Sequence, residues 1–520
     1  MRHALSLLAL PLFVAACSSD SPPATPADTG TDGAGDAAAC GSGASVPKYV
    51  RGPAPEANFP KGFLFGAASA AMQIEKGLPN SDWYQWAKLP GKVINGDNPD
   101  DGPDALAHVD EDVKALVDAG ANAYRFSIEW SRIYPTKADF DADKPDASAL
   151  AKYHELLTKL RTAKIRPFVT LHHFSTPVWL SDVSKPKEPQ AFERPEMTAA
   201  FGEFGKRMGK EFGAEVDDWV TINEPLILML GAYVAAGHPP GAPLDLDRMV
   251  KVTRMLLEAH VAAYDGLHAG DTVDAGTGTK VQVSIAKHNR VFYPDDPCEE
   301  QDVAAAKNAD YIWNEWIYDQ LVNGDVDDDL DGKKEKTGDP KWKGKVDYIG
   351  VNYYGNTLVS ARLKLKYLNG TPTYAGLATD LPKTDMDWDV FPHGFRPILK
   401  QLGKYKLPIY ITENGIGDSQ DLNKSRYLAE HLYEVGRAIE EDKLDIRGFF
   451  YWSLTDNFEW GSGFCPRFGL YRVDYTSPAR PRTPTKAVAT FKQIASGAKV
   501  TTALIDALPP YAAPKKCKSP

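Results

Sequence analysis

The segment VTINEP, residues 220–225, ends an apolar run on Asn223 and Glu224. A second segment, IYITENG at residues 409–415, ends in a similar way with Glu413. Both runs are apolar and rich in β-branched residues, which is typical of strands covered on both faces in a parallel sheet. A buried carboxylate is costly without partners, so a glutamate at a strand end is either solvated or functional. Two such strand ends favour a shared functional site.

Six further strand-like runs accompany these two, and stretches of helical periodicity lie between them. The eight runs occupy residues 63–69, 123–130, 166–174, 218–225, 281–287, 347–355, 408–415 and 448–454. Alternating strands and helices predict crossover units on a parallel sheet. Eight units predict an α/β protein with a single (β/α)8 TIM barrel and long βα loops over residues 58–500. A doubly wound open sheet is the alternative, but we see no glycine-rich phosphate loop to support it.

Polar residues collect near the carboxyl ends of the predicted strands, the end that holds the active site in such barrels. They are Gln73, Arg125, Glu129, His173, Asn223, Glu224, Asn352 and Glu413. In a closed barrel, Glu224 and Glu413 would end the fourth and seventh strands and could converge across the mouth. Glycoside hydrolysis needs two carboxyl groups, one to protonate the departing oxygen and one to attack the anomeric carbon or activate water.

The first 57 residues differ from the rest. An early basic residue and a short apolar stretch precede Cys17 in the pattern of a bacterial lipoprotein signal. This pattern predicts a signal peptide over residues 1–16, lipidation of Cys17 and an exported protein anchored to the membrane of the cell envelope. An ordinary signal peptide is the alternative. Residues 17–57 are rich in Ser, Pro, Ala and Gly, which predicts a disordered tether. Residues 501–520 form a C-terminal extension.

Charge and cysteine spacing exclude several kinds of partner. The net charge is −11 and no basic stripe is present, which argues against nucleic acid binding. No Cys or His spacing indicates a metal site, and no cofactor is expected. Export permits disulfides, and one hypothesis pairs Cys40 with Cys517 across the ends of the domain. The acidic stretch at 325–332 lacks the closing Glu of a calcium loop, so we expect a solvated loop. The oligomeric state stays open.

Seven segments resemble, in order, the motifs of glycoside hydrolase family 1, the β-glucosidase family. They read FLFGAASAAMQIE, YRFSIEWSRIYP, VTLHHF, TINEP, DYIGVNYYG, ITENG and WSLTDNFEWGSGF. The resemblance extends from about residue 59 to about residue 494. It implies a retaining β-glycosidase with Glu224 as the acid/base and Glu413 as the nucleophile. The expected product is terminal β-D-glucose, with galactose and fucose as alternatives. Transglycosylation, or sugar binding by an inactive lipoprotein, would be a different outcome.

The resemblance implies roles for further residues. Arg125, Asn352 and Tyr354 are expected to support the nucleophile. The sugar is expected to contact Gln73, His173, Asn223, Trp452, Glu459 and Trp460. Phosphoglycosidases of the family lack a carboxylate at the position of Glu459, where it would repel a phosphate, so unphosphorylated sugars are favoured.

Other polar residues in these motifs are expected to be structural. His172 and His173 are adjacent on one strand and face opposite sides, so we expect only His173 in the site. Arg132 is expected to form a structural salt bridge, whereas Asp456 and Asn457 are expected to fix their loop by hydrogen bonds. Phe174 stands where many relatives have Trp, which would loosen the pocket beside the sixth carbon of the sugar.

Overall fold

The computed structural model describes residues 46–278, 280–373 and 379–517. The predicted signal peptide and the two cysteines at positions 17 and 40 lie outside the described residues, so the predictions made for them stay predictions.

Eight parallel strands form a closed barrel. They are β1 (Leu64–Ala68), β2 (Ala123–Ser127), β3 (Arg166–His172), β4 (Asp218–Asn223), β5 (Gln282–Pro294), β6 (Ile349–Ser360), β7 (Ile409–Asn414) and β8 (Ile446–Trp452). Each strand pairs in parallel with the next, and β8 pairs with β1 to close the ring. All eight predicted strands are present, and the predicted (β/α)8 barrel is confirmed.

A helix on the outside of the barrel follows each strand. These helices are α1 (Val109–Ala119), α2 (Ala147–Thr162), α3 (Met197–Phe212), α4 (Leu246–Gly270), α5 (Glu300–Asp310), α6 (Phe395–Gly403), α7 (Lys424–Glu440) and α8 (Lys486–Gly497). Local chemistry sets their ends: the Asp146 side chain accepts two backbone N–H bonds at the start of α2, and Gly120 ends α1 with φ 75°. Their apolar faces pack on the sheet, as in α6, which buries Phe395, Ile398 and Leu402.

Shorter elements build the loops. The short α-helices are Ala71–Ile74, Asp82–Ala87, Trp130–Ile133, Lys137–Asp141, Pro225–Tyr233, Trp316–Tyr318 and Thr502–Ala507. The 3-10 turns are Ile94–Gly96, Pro99–Asp101, Ala105–Ala107, Ala191–Glu193, Pro392–Gly394 and Trp460–Ser462, and π-helical turns occupy Tyr311–Glu315 and Asp319–Asn323. The remaining strands are Glu56–Asn58, Thr371–Thr373, Tyr471–Val473, Arg482–Pro484 and Lys499–Thr501. Among the described residues, none of the helices combines the length and the hydropathy that crossing a membrane requires.

Both ends of the described chain pack against the barrel. The strand Glu56–Asn58 pairs with Lys499–Thr501, Val46 is buried, and the Tyr49 hydroxyl donates to Glu434 Oε1. The assignment of residues 46–57 to a disordered tether is therefore wrong, because Val46, Tyr49 and Ala57 find partners on the barrel surface.

The cysteines also differ from expectation. Cys517 forms a disulfide with Cys465, 52 residues earlier, so the hypothesis that Cys517 pairs with Cys40 is wrong. Sequence gave no reason to choose Cys465, because the long loop after β8 brings it near the C-terminal segment only in the folded chain. The bridge ties that segment to the loop after β8.

Aromatic side chains fill the interior of the barrel. Phe168 of β3 packs edge-on against Phe450 of β8 and Tyr410 of β7, with ring centroids 4.8 and 5.3 Å apart. This packed layer closes the barrel from below. The candidate site residues lie above this layer, at the carboxyl ends of the strands, whereas the Arg166–Asp218 ion pair lies at the amino ends of β3 and β4.

Candidate active site

Glu224 and Glu413 reach the mouth of the barrel from different strands. Glu413 lies within β7, whereas Glu224 directly follows β4 and has a left-handed backbone, with φ 44° and ψ 64°. Pro225 then starts a helix with its fixed φ. A non-glycine residue in this region is uncommon, and such residues cluster at functional sites. Both side chains line one cavity of about 420 Å³.

The Glu413 carboxylate has partners suited to an ionised group. Arg125 Nη1 donates to Oε1 at 2.7 Å, and the Tyr354 hydroxyl donates to Oε2 at 2.9 Å. The Arg125 and Glu413 side chains are only 1% and 5% exposed. A charge-assisted bond at such depth stabilises the carboxylate strongly. Arg125 is itself fixed by its bond to Thr170, so the guanidinium is held in place on β2.

Glu224 is held by a neutral amide. Asn352 Nδ2 donates to Glu224 Oε1 at 2.9 Å, while Asn352 Oδ1 accepts from the Thr412 hydroxyl at 2.7 Å. Asn223 joins the two halves, because its Oδ1 accepts from both Arg125 Nη2 and Asn352 Nδ2. The two carboxyl groups therefore belong to one hydrogen-bond network around one cavity.

The two carboxyl groups are both buried, and their different partners make them unequal. Burial and the neighbouring charge of Glu413 raise the pKa of Glu224 to about 8. Burial also raises the pKa of Glu413, but the Arg125 guanidinium and the Tyr354 hydroxyl oppose that rise. Two neighbouring carboxyls do not both ionise readily, so the pair holds a proton at neutral pH. The hydrogen bond from the Arg125 guanidinium favours the ionised form of Glu413, which leaves the proton to Glu224.

A second group of polar residues lines the same cavity on its far side. Gln73 Nε2 donates to Glu459 Oε2 at 3.1 Å and to the Phe458 carbonyl at 3.0 Å, and Asn457 also donates to Glu459 Oε2. Burial raises the pKa of Glu459 to about 7. Within the described residues, Gln73 Oε1 is buried without a hydrogen-bond partner, which indicates a place for a hydroxyl donor.

Aromatic rings frame this polar group. His173, Trp452 and Trp460 line the cavity, and the His173 ring is roughly parallel to both indoles, at 5.6 and 6.2 Å. Burial holds the pKa of His173 well below its usual range, so its Nε2 stays neutral and accepts from Asn223 Nδ2 at 3.0 Å. The residues expected in the site all line the cavity or join its hydrogen-bond network. Asn352, expected to support the nucleophile, donates to Glu224, and Glu129 bonds Ser131 and Ser175 away from the cavity. Cys17, the predicted lipidation site, lies outside the described residues.

The residues expected to be structural have structural contacts. His172 is buried and bonded to the Thr176 hydroxyl, Arg132 pairs with Glu75, and Asp456 pairs with Arg467. Asn457 fixes Glu459 and so acts on the sugar side indirectly. Phe174 lines the cavity against Trp460 and His238, with ring centroids 5.2 and 5.1 Å away.

Sequence reasoning missed His288 and Arg290, which also line the cavity. The His288 ring lies parallel to Tyr354 at 6.1 Å, and its Nδ1 accepts from Trp313 Nε1. Arg290 is buried and donates to the Thr357 hydroxyl, and burial lowers its pKa to about 9. The fifth predicted strand ends at residue 287, whereas β5 continues to residue 294. The polar residues just beyond 287 are the sequence feature that could have indicated further site residues.

An acidic cluster lies away from the cavity. The carboxylates of Asp327, Asp329, Asp331 and Glu335 lie within 4.8 Å of one another. Three of these side chains are exposed, as expected for a solvated loop, while buried Asp327 accepts from the Tyr311 hydroxyl and the Leu330 amide. Glu335 lies just beyond the acidic stretch at residues 325–332. A hard divalent cation is the ligand that such a set of oxygens could hold.

Known proteins resemble both the sequence and the fold. Residues 55–500 match the family Glycosyl hydrolase family 1. A β-galactosidase of Pyrococcus woesei is 30% identical over 505 residues, 85% of this chain and 98% of that protein. β-Glucosidase A of Thermotoga maritima is 31% identical over 448 residues, 81% of this chain and 94% of that protein.

Solved structures agree with this assignment. A family 1 β-glucosidase from Thermotoga maritima has a TM-score of 0.75 and 28% identity, covering 86% of this chain and 100% of that one. A rice β-glucosidase has a TM-score of 0.74 and 28% identity, covering 84% and 98%. The family model matches most of the chain, and the barrel carries both carboxyl groups in one cavity. The chain therefore belongs to glycosyl hydrolase family 1 and is a glycoside hydrolase.

Proposed function

We propose that this protein is a retaining β-glycosidase that releases terminal β-D-glucose from the non-reducing end of its substrates. The observation that carries the proposal is the pair of buried carboxyls in one cavity, of which Glu413 is hydrogen-bonded to the Arg125 guanidinium and Glu224 to the neutral amide of Asn352. This inequality supplies a carboxylate and a carboxylic acid at the same pH.

The reaction proceeds by double displacement. The Glu413 carboxylate attacks the anomeric carbon while protonated Glu224 gives its proton to the departing glycosidic oxygen. Glu413 loses its charge in the glycosyl-enzyme, so the repulsion that raises the pKa of Glu224 falls and Glu224 becomes the base that activates water. Water then gives a proton to Glu224, attacks the anomeric carbon from the face that the departing group left, and displaces Glu413 as a carboxylate, so that the two inversions retain the β configuration.

The polar residues around Gln73 and Glu459 would recognise the sugar. Gln73 and Glu459 present acceptors to the hydroxyls of the sugar, and Trp452 offers a flat face to the ring. Asn223 is placed for the 2-hydroxyl, whose hydrogen bond strengthens in the transition state. The carboxyl group of Glu459 disfavours phosphorylated sugars. Relatives carry the names β-glucosidase and β-galactosidase, so galactosides are competing substrates to compare. Fucosides are the further substrates that the sequence resemblance implies.

Stereochemistry tests this proposal directly. Proton NMR of early hydrolysis of an aryl β-D-glucoside should show β-glucose first, followed by slow mutarotation to the α anomer. Early α-glucose would contradict retention. Inertness towards aryl glucosides, galactosides and fucosides would favour a sugar-binding protein. Transfer products that exceed glucose at a high concentration of a sugar acceptor would favour a transglycosylase.

The proposal extends to location, which rests on the sequence before residue 46. The apolar stretch ending at Cys17 supports export and lipid anchoring in the bacterial cell envelope. Expression of the full chain in a bacterium with radiolabelled palmitate should label the protein and place it in the membrane fraction. Cys17→Ser should lose both the label and the membrane association. A soluble, unlabelled wild type would contradict this part of the proposal.

A further inference from the structure

The cavity changes character from one half to the other. The inner half is polar and surrounds the two carboxyls together with Gln73 and Glu459. The outer half carries aliphatic side chains from two loop regions, which we call the aliphatic wall: Ile227, Leu230, Leu244, Leu363, Leu365 and Leu368. This wall lies beyond the sugar site, where the departing group of a glycoside would extend.

One side of the wall starts at the acid itself. The helix Pro225–Tyr233 begins directly after Glu224, and its residues Ile227 and Leu230 are three positions apart on one face. Both are only half-buried, whereas other apolar residues of the same helix are fully buried. Leu244, after this helix, is 62% exposed at the rim. Apolar side chains that stay accessible in a concave site are typical of ligand-binding surfaces.

The other side of the wall comes from the segment after β6. Leu363 and Leu365 are half-buried and line the cavity, while their neighbours Arg362, Lys364 and Lys366 are exposed. Exposure therefore alternates along this turn segment, with the leucines lining the cavity and the basic side chains in solvent. Half-buried leucines that line a concave cavity keep apolar surface available to a ligand.

The wall fits an aliphatic chain better than a second sugar. A sugar unit would place its hydroxyls against leucine side chains, which cannot replace the hydrogen bonds lost to water. An alkyl chain buries apolar surface against the same side chains. We propose that this enzyme prefers β-glycosides with an extended aliphatic aglycone over β-linked disaccharides. This inference rests on the proposed function, because it assumes that the sugar occupies the polar half.

A series of n-alkyl β-D-glucosides below their critical micelle concentrations tests the proposal, because the leaving alcohols have nearly equal pKa values. From butyl to octyl glucoside, kcat/KM should rise by about twofold or more per methylene, at least tenfold in total. Octyl glucoside should also exceed cellobiose by about tenfold. A flat series, or a preference for cellobiose, would overturn the inference while leaving the proposed function intact. Failure to hydrolyse any glucoside, including an aryl glucoside, would overturn both.

Adjacent residues supply a matched pair of variants. In Leu365→Asn, the ratio of kcat/KM for octyl glucoside to that for methyl glucoside should fall about tenfold. Lys364→Asn, on the exposed side of the same segment, should leave this ratio within twofold of wild type. A ratio cancels losses from partial misfolding, which affect both substrates equally. Equal ratios in the two variants would contradict a role of the wall in binding the aglycone.

Discussion

Two clusters of buried acidic side chains lie near the same end of the barrel, and their compositions are alike. Each contains two glutamates, one arginine and one tyrosine. In the first cluster, Glu75 accepts from Arg132 Nε at 2.8 Å and from the Tyr153 hydroxyl at 2.9 Å. Glu413 in the second cluster has the same kinds of partner at 2.7 and 2.9 Å. Burial raises the pKa of both glutamates, and an arginine opposes the rise in both.

The second glutamate of each cluster shows the difference. Both oxygens of Glu129 are occupied, one by Ser131 and the other by the Ser175 hydroxyl at 2.6 Å. Glu224 is held at one oxygen by Asn352 and faces the cavity. Among the described residues that line the cavity, neither Glu75 nor Glu129 is present. A buried, charge-paired glutamate therefore does not mark a catalytic site by itself. Access of one carboxyl to a cavity distinguishes the two clusters.

The largest expected contrast is between Glu413→Gln and Glu75→Gln. The first should lower kcat/KM for an aryl β-glucoside by on the order of 10⁴-fold or more, because an amide is a poor nucleophile towards the anomeric carbon. The second removes a buried ion pair and should cost about 3 kcal/mol in the free energy of unfolding. Per folded molecule, Glu75→Gln should keep its activity within tenfold. Similar activity losses in the two variants would erase the distinction between the clusters.

Glu224→Gln should act selectively on substrates with poor leaving groups. Loss of the general acid should slow alkyl glucosides by roughly 10³-fold, since proton donation contributes about 10²- to 10⁴-fold. The first step with 2,4-dinitrophenyl glucoside needs no proton and should slow by less than about tenfold. A burst of dinitrophenolate in stopped-flow measurements would report that step. Losses independent of the leaving group would contradict the assignment of Glu224 as the acid.

The pH dependence sharpens the comparison further. Because the pKa of Glu224 is raised to about 8, the acid is protonated and active below that pH. For an alkyl glucoside, kcat/KM should therefore fall about tenfold per pH unit above pH 8, as the proton is lost. The pH profile of Glu75→Gln should keep this limb, and that of Glu224→Gln should lose it. An alkaline limb that persists in Glu224→Gln would assign it to another group.

The two tyrosines give the smallest expected contrast. Tyr354→Phe removes the donor to Glu413 Oε2 and should lower kcat/KM about tenfold, because a bond to a charged group contributes about 1.5 kcal/mol or more. Tyr153→Phe removes the equivalent donor to Glu75 and should lower the free energy of unfolding by a similar amount. Steady-state kinetics and urea unfolding of both variants separate the effects. A reversal, with Tyr153→Phe slower and Tyr354→Phe less stable, would contradict both assignments.

The barrel and the two candidate catalytic glutamates could be predicted from the sequence because local patterns and family motifs mark them. Each strand is a continuous apolar run, and Glu224 and Glu413 lie at the ends of two of them. The eight runs overlap the eight observed strands, and the register of β6 with β7 pairs Asn352 with Glu413. Hydrophobic periodicity is a local pattern, so it can be read from the sequence without knowledge of the tertiary contacts.

The remainder depends on contacts between distant loops. Leu363 and Leu365 belong to no catalytic motif, and only the folded chain shows that they line the same cavity as residues of the helix after Glu224. The partner of Cys517 and the packing of residues 46–57 likewise depend on which surfaces meet in three dimensions. Glu75 and Glu413 have similar partners, so only their relation to the cavity separates a structural role from a catalytic one.

One bond at the sugar site spans nearly the whole domain: Gln73 donates to the Phe458 carbonyl, 385 residues later. The barrel likewise closes only when β8 pairs with β1. A nascent chain on the ribosome therefore has no working pocket until its last strand has been synthesised. Hydrolytic activity can therefore begin only late in synthesis, because shorter nascent chains lack the complete site.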